Sequence, residues 1–317
     1  MKNKKWIALA AAVVLAVTAL PMGVFAAKKD STEEKLTKVT LNEVAHSIFY
    51  APQYVAIEEG YFAEKGLDLT LVTGFGADKT MTAVISGEAD IGFMGAEASV
   101  YAYQEGATDP VVNFAQLTQR AGNFLVAREE MPDFKWEDLK GEKVLGGRKG
   151  GMPEMVFEYI LKKNGMDPQK DLIIDQSIDF GSTAAAFTGD DSAAYTVEFE
   201  PSATILEKEG AGYVVASLGE ASGYVPYTSY SAKASYMKEN PEIIQKFTDA
   251  LQKGMDYVQN HTPEEIAEVI APQFKETDLE TITAIVKRYY DQDTWKENLI
   301  FEKDSFELLQ DILEDAG

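Results

Sequence analysis

The sequence contains no cysteine, and this absence removes several kinds of chemistry at once. Thiol nucleophiles, thiolate metal sites and a lipid-modified N-terminal cysteine all require that residue. Histidine is almost as scarce, since only His46 and His261 occur and they lie far apart in the chain. A zinc site or a Ser-His-Asp triad is therefore nearly excluded. We expect no catalysis, no cofactor and no metal.

Positive charge is also scarce. The chain has 29 Lys and Arg residues against 52 Asp and Glu residues, a formal net charge of -23. Such a chain is repelled by nucleic acid and by anionic lipid headgroups, so neither is an expected partner. An anionic ligand would need local donors to hold it against this overall field.

Long apolar runs are confined to the N-terminus. Three lysines among the first five residues precede an apolar run at residues 6–20, and Val-Phe-Ala follows at residues 24–26. This order predicts a secretory signal peptide over residues 1–26, followed by a flexible polar leader over residues 27–37. An uncleaved anchor is the alternative, but the run is shorter than the ~20 residues of a spanning helix. We expect an exported protein, periplasmic or at the extracytoplasmic face, with no membrane insertion after cleavage.

Strand-like and helix-like segments alternate from residue 39 to about residue 216, which is typical of an α/β protein with mostly parallel sheets. From Lys233 onward, apolar residues recur at helical spacing in four segments that begin with proline, acidic residues or serine. About 280 residues follow the leader. At ~100–200 residues per domain, that length suits two compact lobes better than one.

Candidate ligand-binding segments lie where a predicted strand ends and a helix begins. In open α/β sheets these junctions share one edge, and helix N-termini present free N–H groups there. The clearest junctions are residues 45–51, 74–78, 95–98 and 146–153. Glycines at residues 146–151 allow a close approach to a ligand, but the run lacks the Gly-Lys-Ser/Thr end of a phosphate loop and a dinucleotide-binding spacing. A tight turn with exposed basic residues is the alternative.

Aromatic and acidic residues near these junctions are the main candidates for ligand contact. Phe49 and Tyr50 would form a stacking wall for a planar ligand, unless they fill the space beneath the first helix. Glu198 and Glu200 would accept hydrogen bonds from an amine; a general acid and base pair, or a helix cap at Glu200, are alternatives. The complete candidate set is His46, Phe49, Tyr50, Gly76, Glu97, Arg120, Arg148, Gly150, Met152, Glu198, Glu200 and Tyr227.

Several segments resemble a known family. Residues 46–56, 59–62, 66–69, 87–95, 138–144 and 199–201 are similar to the nitrate/sulfonate/taurine and thiamine-pyrimidine-precursor binding proteins of ABC importers. The resemblance implies a two-lobed periplasmic-binding-protein fold of type II, with two crossovers. Lobe one would comprise residues 38–120 and 228–317, and lobe two residues 121–227. The resemblance also implies a small-molecule ligand and, as a partner, an ABC permease with its cytoplasmic ATPase. We expect a monomer.

The ligand class is left open between two chemistries. The aromatic and acidic candidates favour a planar, amine-bearing heterocycle such as a thiamine pyrimidine precursor. Arg120, Arg148 and Lys149 allow a sulfonate, taurine, nitrate or similar anion instead. A pyrimidine-synthesising enzyme of the same fold is an alternative of another class, although such enzymes carry a cysteine-rich run and are not exported. A secreted sensor that reports to a membrane receptor is a third possibility.

The order of charge, apolar run and small residues predicts cleavage after Ala26. N-terminal sequencing of protein from the native host should return a sequence that begins at or near Ala27. A sequence that begins at Met1 or Lys2 would contradict the prediction.

Overall fold

A computed structural model describes residues 35–178 and 181–316. The predicted signal peptide and most of the leader lie outside the described residues. Within these residues, ten strands form two five-stranded sheets with helices packed against them. In the described ranges no helix combines the length and apolar character that crossing a membrane requires.

The strands are numbered in chain order. They are β1 (Thr37–Glu43), β2 (Leu67–Thr73), β3 (Ile91–Met94), β4 (Val111–Thr118), β5 (Asn123–Ala127), β6 (Lys143–Leu145), β7 (Ile173–Asp175), β8 (Tyr195–Phe199), β9 (Tyr213–Ser217) and β10 (Thr228–Lys233).

The helices are numbered in the same way. They are α1 (Ala51–Glu58), α2 (Tyr61–Glu64), α3 (Ala77–Ser86), α4 (Glu97–Gln104), α5 (Met152–Lys163), α6 (Thr183–Gly189), α7 (Ser202–Lys208), α8 (Leu218–Ser222), α9 (Ala234–Glu239), α10 (Pro241–Asn260), α11 (Pro263–Ile270), α12 (Leu279–Asp291) and α13 (Lys303–Ala316). Short 3-10 turns lie at Ile48–Tyr50, Trp136–Leu139 and Ala271–Gln273.

Each sheet contains one reversed strand. The first sheet has the order β2-β1-β3-β10-β4, and only β10 runs against the others. The second sheet has the order β7-β6-β8-β5-β9, and only β5 is reversed. Both reversed strands come directly after the chain has passed from one sheet to the other. The predicted α/β architecture is confirmed, with the refinement that the sheets are mixed.

The sheet topology brings loops from distant parts of the chain to one edge. Four strands of each sheet end there, and the reversed strand begins there. In the first sheet Ser229 of β10 pairs with Met94 at the end of β3. In the second sheet Asn123, which begins β5, pairs with Phe199, which ends β8. The segments that follow the parallel strands therefore share these edges with the first residues of β5 and β10.

An aromatic cluster joins the two sheets. Phe49, in the 3-10 turn after β1, is 0% exposed. Its ring centroid lies 5.9 Å from that of Phe199, 5.7 Å from that of Tyr227 and 5.1 Å from that of Tyr289. A Cβ atom at Gly122 would lie 2.6 Å from the Phe49 ring, so only glycine fits at that crossover position. For Phe49, this packing favours the alternative of a core residue over a ligand-stacking wall.

The helix boundaries show which sequence signals were informative. Gly60 has a φ of 73° and separates α1 from α2, because glycine readily adopts the left-handed conformation that ends a helix. The four helical segments predicted from Lys233 onward correspond to α10, α11, α12 and α13. Helices α6 and α8, of seven and five residues, are not predicted from the sequence. Short helices present too few turns for a reliable apolar period.

Gly254 provides a test of the packing between α10 and α1. A Cβ atom there would lie 2.2 Å from the carbonyl oxygen of Pro52, so Gly254→Ala should force the two helices apart. We expect a loss of roughly 1–3 kcal/mol in the free energy of unfolding, despite the higher helix propensity of alanine. Urea denaturation followed by circular dichroism measures it.

Gly189→Ala is the matched control, because the space around this exposed end of α6 is open within 4 Å. It should be neutral, or should stabilise the protein by up to about 1 kcal/mol. Equal effects of the two substitutions would contradict the predicted close contact.

Candidate functional site

The candidate site is the region where the edges of the two sheets meet, and we call this region the cleft. On one side lie the turn after β1, the loop between β2 and α3, and the start of α4; on the other lie the start of β5, residues 146–151 and the start of α5. Two side-chain contacts cross it. Arg148 Nη1 lies 3.4 Å from Asp78 Oδ1, and the Tyr101 hydroxyl donates to Met155 Sδ at 3.3 Å. The first contact joins two of the four junctions that the sequence predicts, and the second joins α4 to α5.

Glu97 is the most unusual acid in the cleft. It begins α4 and is 4% exposed, and its carboxylate folds back over Gly95, where a Cβ atom would lie 2.0 Å from Oε2. Burial raises the pKa of Glu97 to about 7, because the charged form is poorly solvated there. Within residues 35–178 and 181–316, Oε2 has no hydrogen-bond partner.

Two tyrosines from separate segments lie beside Glu97. Tyr50 packs edge-on against Phe93, with ring centroids 4.5 Å apart, and the Tyr227 hydroxyl donates to Asn123 Oδ1 at 3.4 Å. Burial is the main cause that raises the pKa of both phenols, and the nearby charge of Glu97 contributes. Both hydroxyls therefore stay protonated and polar at the floor of the cleft.

Glu198 and Glu200 have different roles in the structure. Glu198 is buried and accepts from Thr183 Oγ1 at 3.0 Å and Thr196 Oγ1 at 2.6 Å, and burial raises its pKa to about 7. Glu200 accepts from the Thr204 backbone N–H at 2.9 Å, which caps α7. Its other oxygen accepts from Arg288 Nη1 at 2.5 Å. The structure thus favours the helix-cap alternative for Glu200 and gives no support to a catalytic pair.

His46 is engaged by protein groups on both ring nitrogens. Nδ1 lies 2.8 Å from Glu43 Oε1, and Nε2 lies 3.0 Å from the carbonyl oxygen of Gln273. The hydrogen bond to Glu43 is the main cause that raises the pKa of His46, while burial opposes the shift. The ring therefore connects the end of β1 to the segment after α11.

The two candidate arginines occupy different places. Arg120 lies in the first crossover, where Nη1 donates to the Gly219 carbonyl at 3.1 Å and the guanidinium stacks 4.3 Å from the centroid of the Tyr224 ring. Arg148 is at the cleft mouth, with 51% of its side chain exposed and its charge paired with Asp78. The structure thus does not bring the two cations together.

The remaining candidates are backbone positions and one apolar side chain. The N–H of Gly76, just before α3, donates to the Val44 carbonyl at 3.0 Å. The N–H of Gly150 donates to Glu154 Oε2 at 3.0 Å, and Met152 is buried at the start of α5. Burial, with a hydrogen bond to Glu158, raises the pKa of Glu154 to about 7.

Sequence reasoning missed two polar residues of this region. Glu43 ends β1 fully buried, and it accepts hydrogen bonds from Gln53 and Tyr54 at 2.8 Å each and from Thr73 at 3.1 Å. Asn123 begins β5 and is 0% exposed. The sequence offers a signal for Glu43, because it is an acid at the end of a predicted strand. It offers none for Asn123, because only the fold shows that this residue follows a crossover between the sheets. The described residues contain no group of three or more His, Asp or Glu side chains placed to hold a metal ion.

Known proteins resemble this chain in sequence. A family model described as NMT1/THI5 like matches residues 48–266. YtlA of Bacillus subtilis, which carries the provisional name of a binding protein, is 47% identical over 293 residues, 92% of this chain and 87% of YtlA. The 4-amino-5-hydroxymethyl-2-methylpyrimidine phosphate synthase THI11 of Saccharomyces cerevisiae is 24% identical over 225 residues, 66% of this chain and 63% of the synthase.

A solved structure resembles the fold. The alkanesulfonate-binding protein SsuA of Xanthomonas axonopodis pv. citri, bound to MOPS, superimposes with a TM-score of 0.68. The match covers 89% of this chain and 91% of that one at 14% identity. At this identity the likeness shows the fold alone, and it confirms the predicted periplasmic-binding-protein fold.

Glu97 should make the free energy of unfolding depend on pH. Its folded-state pKa of about 7 lies above the ordinary 4.5, so the folded protein keeps a proton that the unfolded chain releases. Its stabilising contribution is fully present below about pH 4.5 and is lost as the pH rises to about 7. Relative to Glu97→Gln, the wild-type free energy of unfolding should fall in this range by up to about 1.4 kcal/mol per pH unit.

Urea denaturation at several pH values between 5 and 8 measures this difference. Glu105→Gln, at the exposed end of the same helix, is the control and should follow the wild type at every pH. Parallel pH profiles for wild type and Glu97→Gln would show that Glu97 ionises normally.

Proposed function

Because the chain belongs to the NMT1/THI5-like family and has the fold of the solute-binding proteins of ABC importers, we propose that it is the exported solute-binding component of an ABC import system. The protein captures a small molecule outside the cytoplasm and delivers it to a permease driven by a cytoplasmic ATPase. The signal peptide that the sequence predicts over residues 1–26 fits this role. We expect it to act as a monomer.

The observation that carries the proposal is the polar cleft between the two sheet edges. Contacts such as Arg148–Asp78 and Tyr101–Met155 cross it and would be broken when it opens. A ligand that touches both edges binds only the closed form fully, so it shifts the population from open to closed. The lobes that move would be residues 38–120 with 228–317, and residues 121–227.

The ligand that we propose is a planar, amine-bearing heterocycle, such as a thiamine pyrimidine precursor. Three buried acids lie on the segments that form the cleft or on the second sheet behind it. They are Glu97, Glu154 and Glu198, and burial raises the pKa of each to about 7. Arg148 is the cleft cation among the described candidates, and it is half exposed and already paired. A buried carboxyl accepts an amine readily, whereas an anion would meet repulsion or unmatched acceptors.

Binding is favoured over synthesis as the activity. The 47% identical relative is named as a binding protein, whereas the synthase is 24% identical. The chain also lacks cysteine, and therefore the cysteine-rich run that the synthesising enzymes carry. An anion-binding protein of the sulfonate, taurine or nitrate type is the second candidate, favoured only by the position of Arg148 at the cleft mouth.

Calorimetry with two probes tests the ligand class. Wild-type protein should bind 4-amino-5-hydroxymethyl-2-methylpyrimidine and not taurine. Arg148→Ala should change the pyrimidine affinity by less than about fivefold, because an exposed ion pair contributes at most about 1 kcal/mol. A bound anion would instead lose a charge-assisted bond, about 1.5–3 kcal/mol.

Lys149→Ala, next in the same loop, controls for a general loss of positive charge. Taurine binding that disappears in Arg148→Ala but survives in Lys149→Ala would establish the anion alternative. Native mass spectrometry of freshly purified protein provides an independent check, since a co-purified solute reveals its mass.

A further inference from the structure

Buried polar atoms without partners are unusual in folded proteins, and this chain places two of them at the cleft. Among the described residues, four buried side-chain atoms have no hydrogen-bond partner: Glu97 Oε2, Arg120 Nε, Asn123 Nδ2 and Ser231 Oγ. Burial without a partner costs free energy, so each case needs an explanation. Arg120 belongs to the crossover and Ser231 to the interior of β10. Glu97 begins α4, next to the end of β3 in the first sheet, and Asn123 begins β5 at the edge of the second sheet.

Tyr227 connects these two residues. The charge of Glu97 acts on the Tyr227 hydroxyl, which donates to Asn123 Oδ1 at 3.4 Å. This hydrogen bond occupies the oxygen end of the Asn123 amide and leaves the Nδ2 end free. Glu97 follows a strand of the first sheet and Asn123 begins a strand of the second, so a ligand that reaches both atoms would bridge the two sheet edges.

We propose that Glu97 and Asn123 together form hydrogen bonds with one polar edge of the ligand, with Glu97 Oε2 as the acceptor and Asn123 Nδ2 as the donor. The inference rests on the proposed function and makes it more specific. A matching ligand presents an N–H donor beside an acceptor, as an amino group does next to a ring nitrogen. Such a ligand satisfies both buried atoms at once, and it does so only when the two sheet edges are close.

The pair also predicts what the cleft rejects. A sulfonate or nitrate offers acceptors alone, so above about pH 7, where Glu97 is mostly ionised, it would leave the Glu97 carboxylate opposed by another oxygen. A 4-oxo pyrimidine presents the reversed order, with a carbonyl acceptor beside a ring N–H. A site built on hydrogen bonds discriminates strongly against a ligand that leaves its buried groups unpaired. Wild-type protein should therefore prefer 4-amino-5-hydroxymethyl-2-methylpyrimidine to its 4-oxo counterpart by at least about tenfold.

Two substitutions test the pair by calorimetry with the same two pyrimidines. Glu97→Gln should lower the affinity for the amino compound by roughly 10- to 100-fold, because a charge-assisted bond is lost. Asn123→Leu, which keeps the size of the side chain, should lower it by roughly 5- to 10-fold. Both should reduce the preference for the amino over the 4-oxo compound.

The melting temperature of the ligand-free protein separates this role from a structural one. Glu97→Gln replaces the carboxyl by an amide of the same size, so the melting temperature should change little while the affinity falls. Asn123→Leu also removes the acceptor of the Tyr227 hydroxyl, so it should lower the melting temperature modestly, and its evidence is the reduced preference for the amino compound. Ser231→Ala is the matched control, because it also removes an unpaired buried atom, but away from the cleft. It should bind both pyrimidines as the wild type does.

The outcomes distinguish this inference from the function on which it rests. Wild-type protein that binds neither pyrimidine would overturn the proposed ligand class, and this inference with it. Wild-type binding that survives both Glu97→Gln and Asn123→Leu within about twofold would overturn only the role of the pair. A Glu97→Gln protein that loses affinity and also melts at a clearly lower temperature would assign Glu97 to folding. An Asn123→Leu protein that loses affinity equally for both pyrimidines would do the same for Asn123.

Discussion

The contact between Phe49 and Gly122 determines how the two sheets meet. A side chain at position 122 would overlap the Phe49 ring, so the absence of one allows the aromatic cluster to close over the crossover. The Tyr289 hydroxyl then donates to the Gly122 carbonyl at 2.8 Å, and Trp295 Nε1 donates to the Phe49 carbonyl at 2.9 Å. Asn123 directly follows Gly122, so the same contact sets the position of Asn123 at the start of β5.

The strengths of the contacts between the sheets differ from one side of the cleft to the other. Arg288 of α12 binds Glu200 at 2.5 Å and Glu207 at 2.6 Å, and the Glu200 side chain is fully buried. Leaving such a charge unpaired costs several kcal/mol. At the mouth, Arg148 and Asp78 are both more than half exposed, and their pairing contributes about 1 kcal/mol or less. We infer that opening breaks the mouth contacts and preserves those around Phe49 and Glu200.

The sequence predicts the fold well because the residues that end strands and helices act locally. Glycines and prolines mark where strands and helices end, and the four helical segments expected from Lys233 onward correspond to α10, α11, α12 and α13. The roles of individual side chains are harder to predict, because they depend on residues far away in the chain. His46 bonds to Gln273, and the helix cap at Glu200 is completed by Arg288. Nothing near Phe49 in the sequence reveals that it packs against Gly122, so both of its alternatives remained open until the fold was known.

The electrostatics of the whole chain and of the cleft act in the same direction. A net charge of -23 repels anions at long range and raises the local concentration of cations near the surface. In the cleft, burial keeps Glu97 largely protonated below about pH 7, so the ligand-free floor carries little charge there despite its carboxyl group. A cationic or strongly polarised N–H group would favour the ionised form when it arrives, because the charge then has a partner. The long-range field thus attracts the kind of molecule that the buried carboxyl is suited to bind, and selectivity is left to short-range hydrogen bonds.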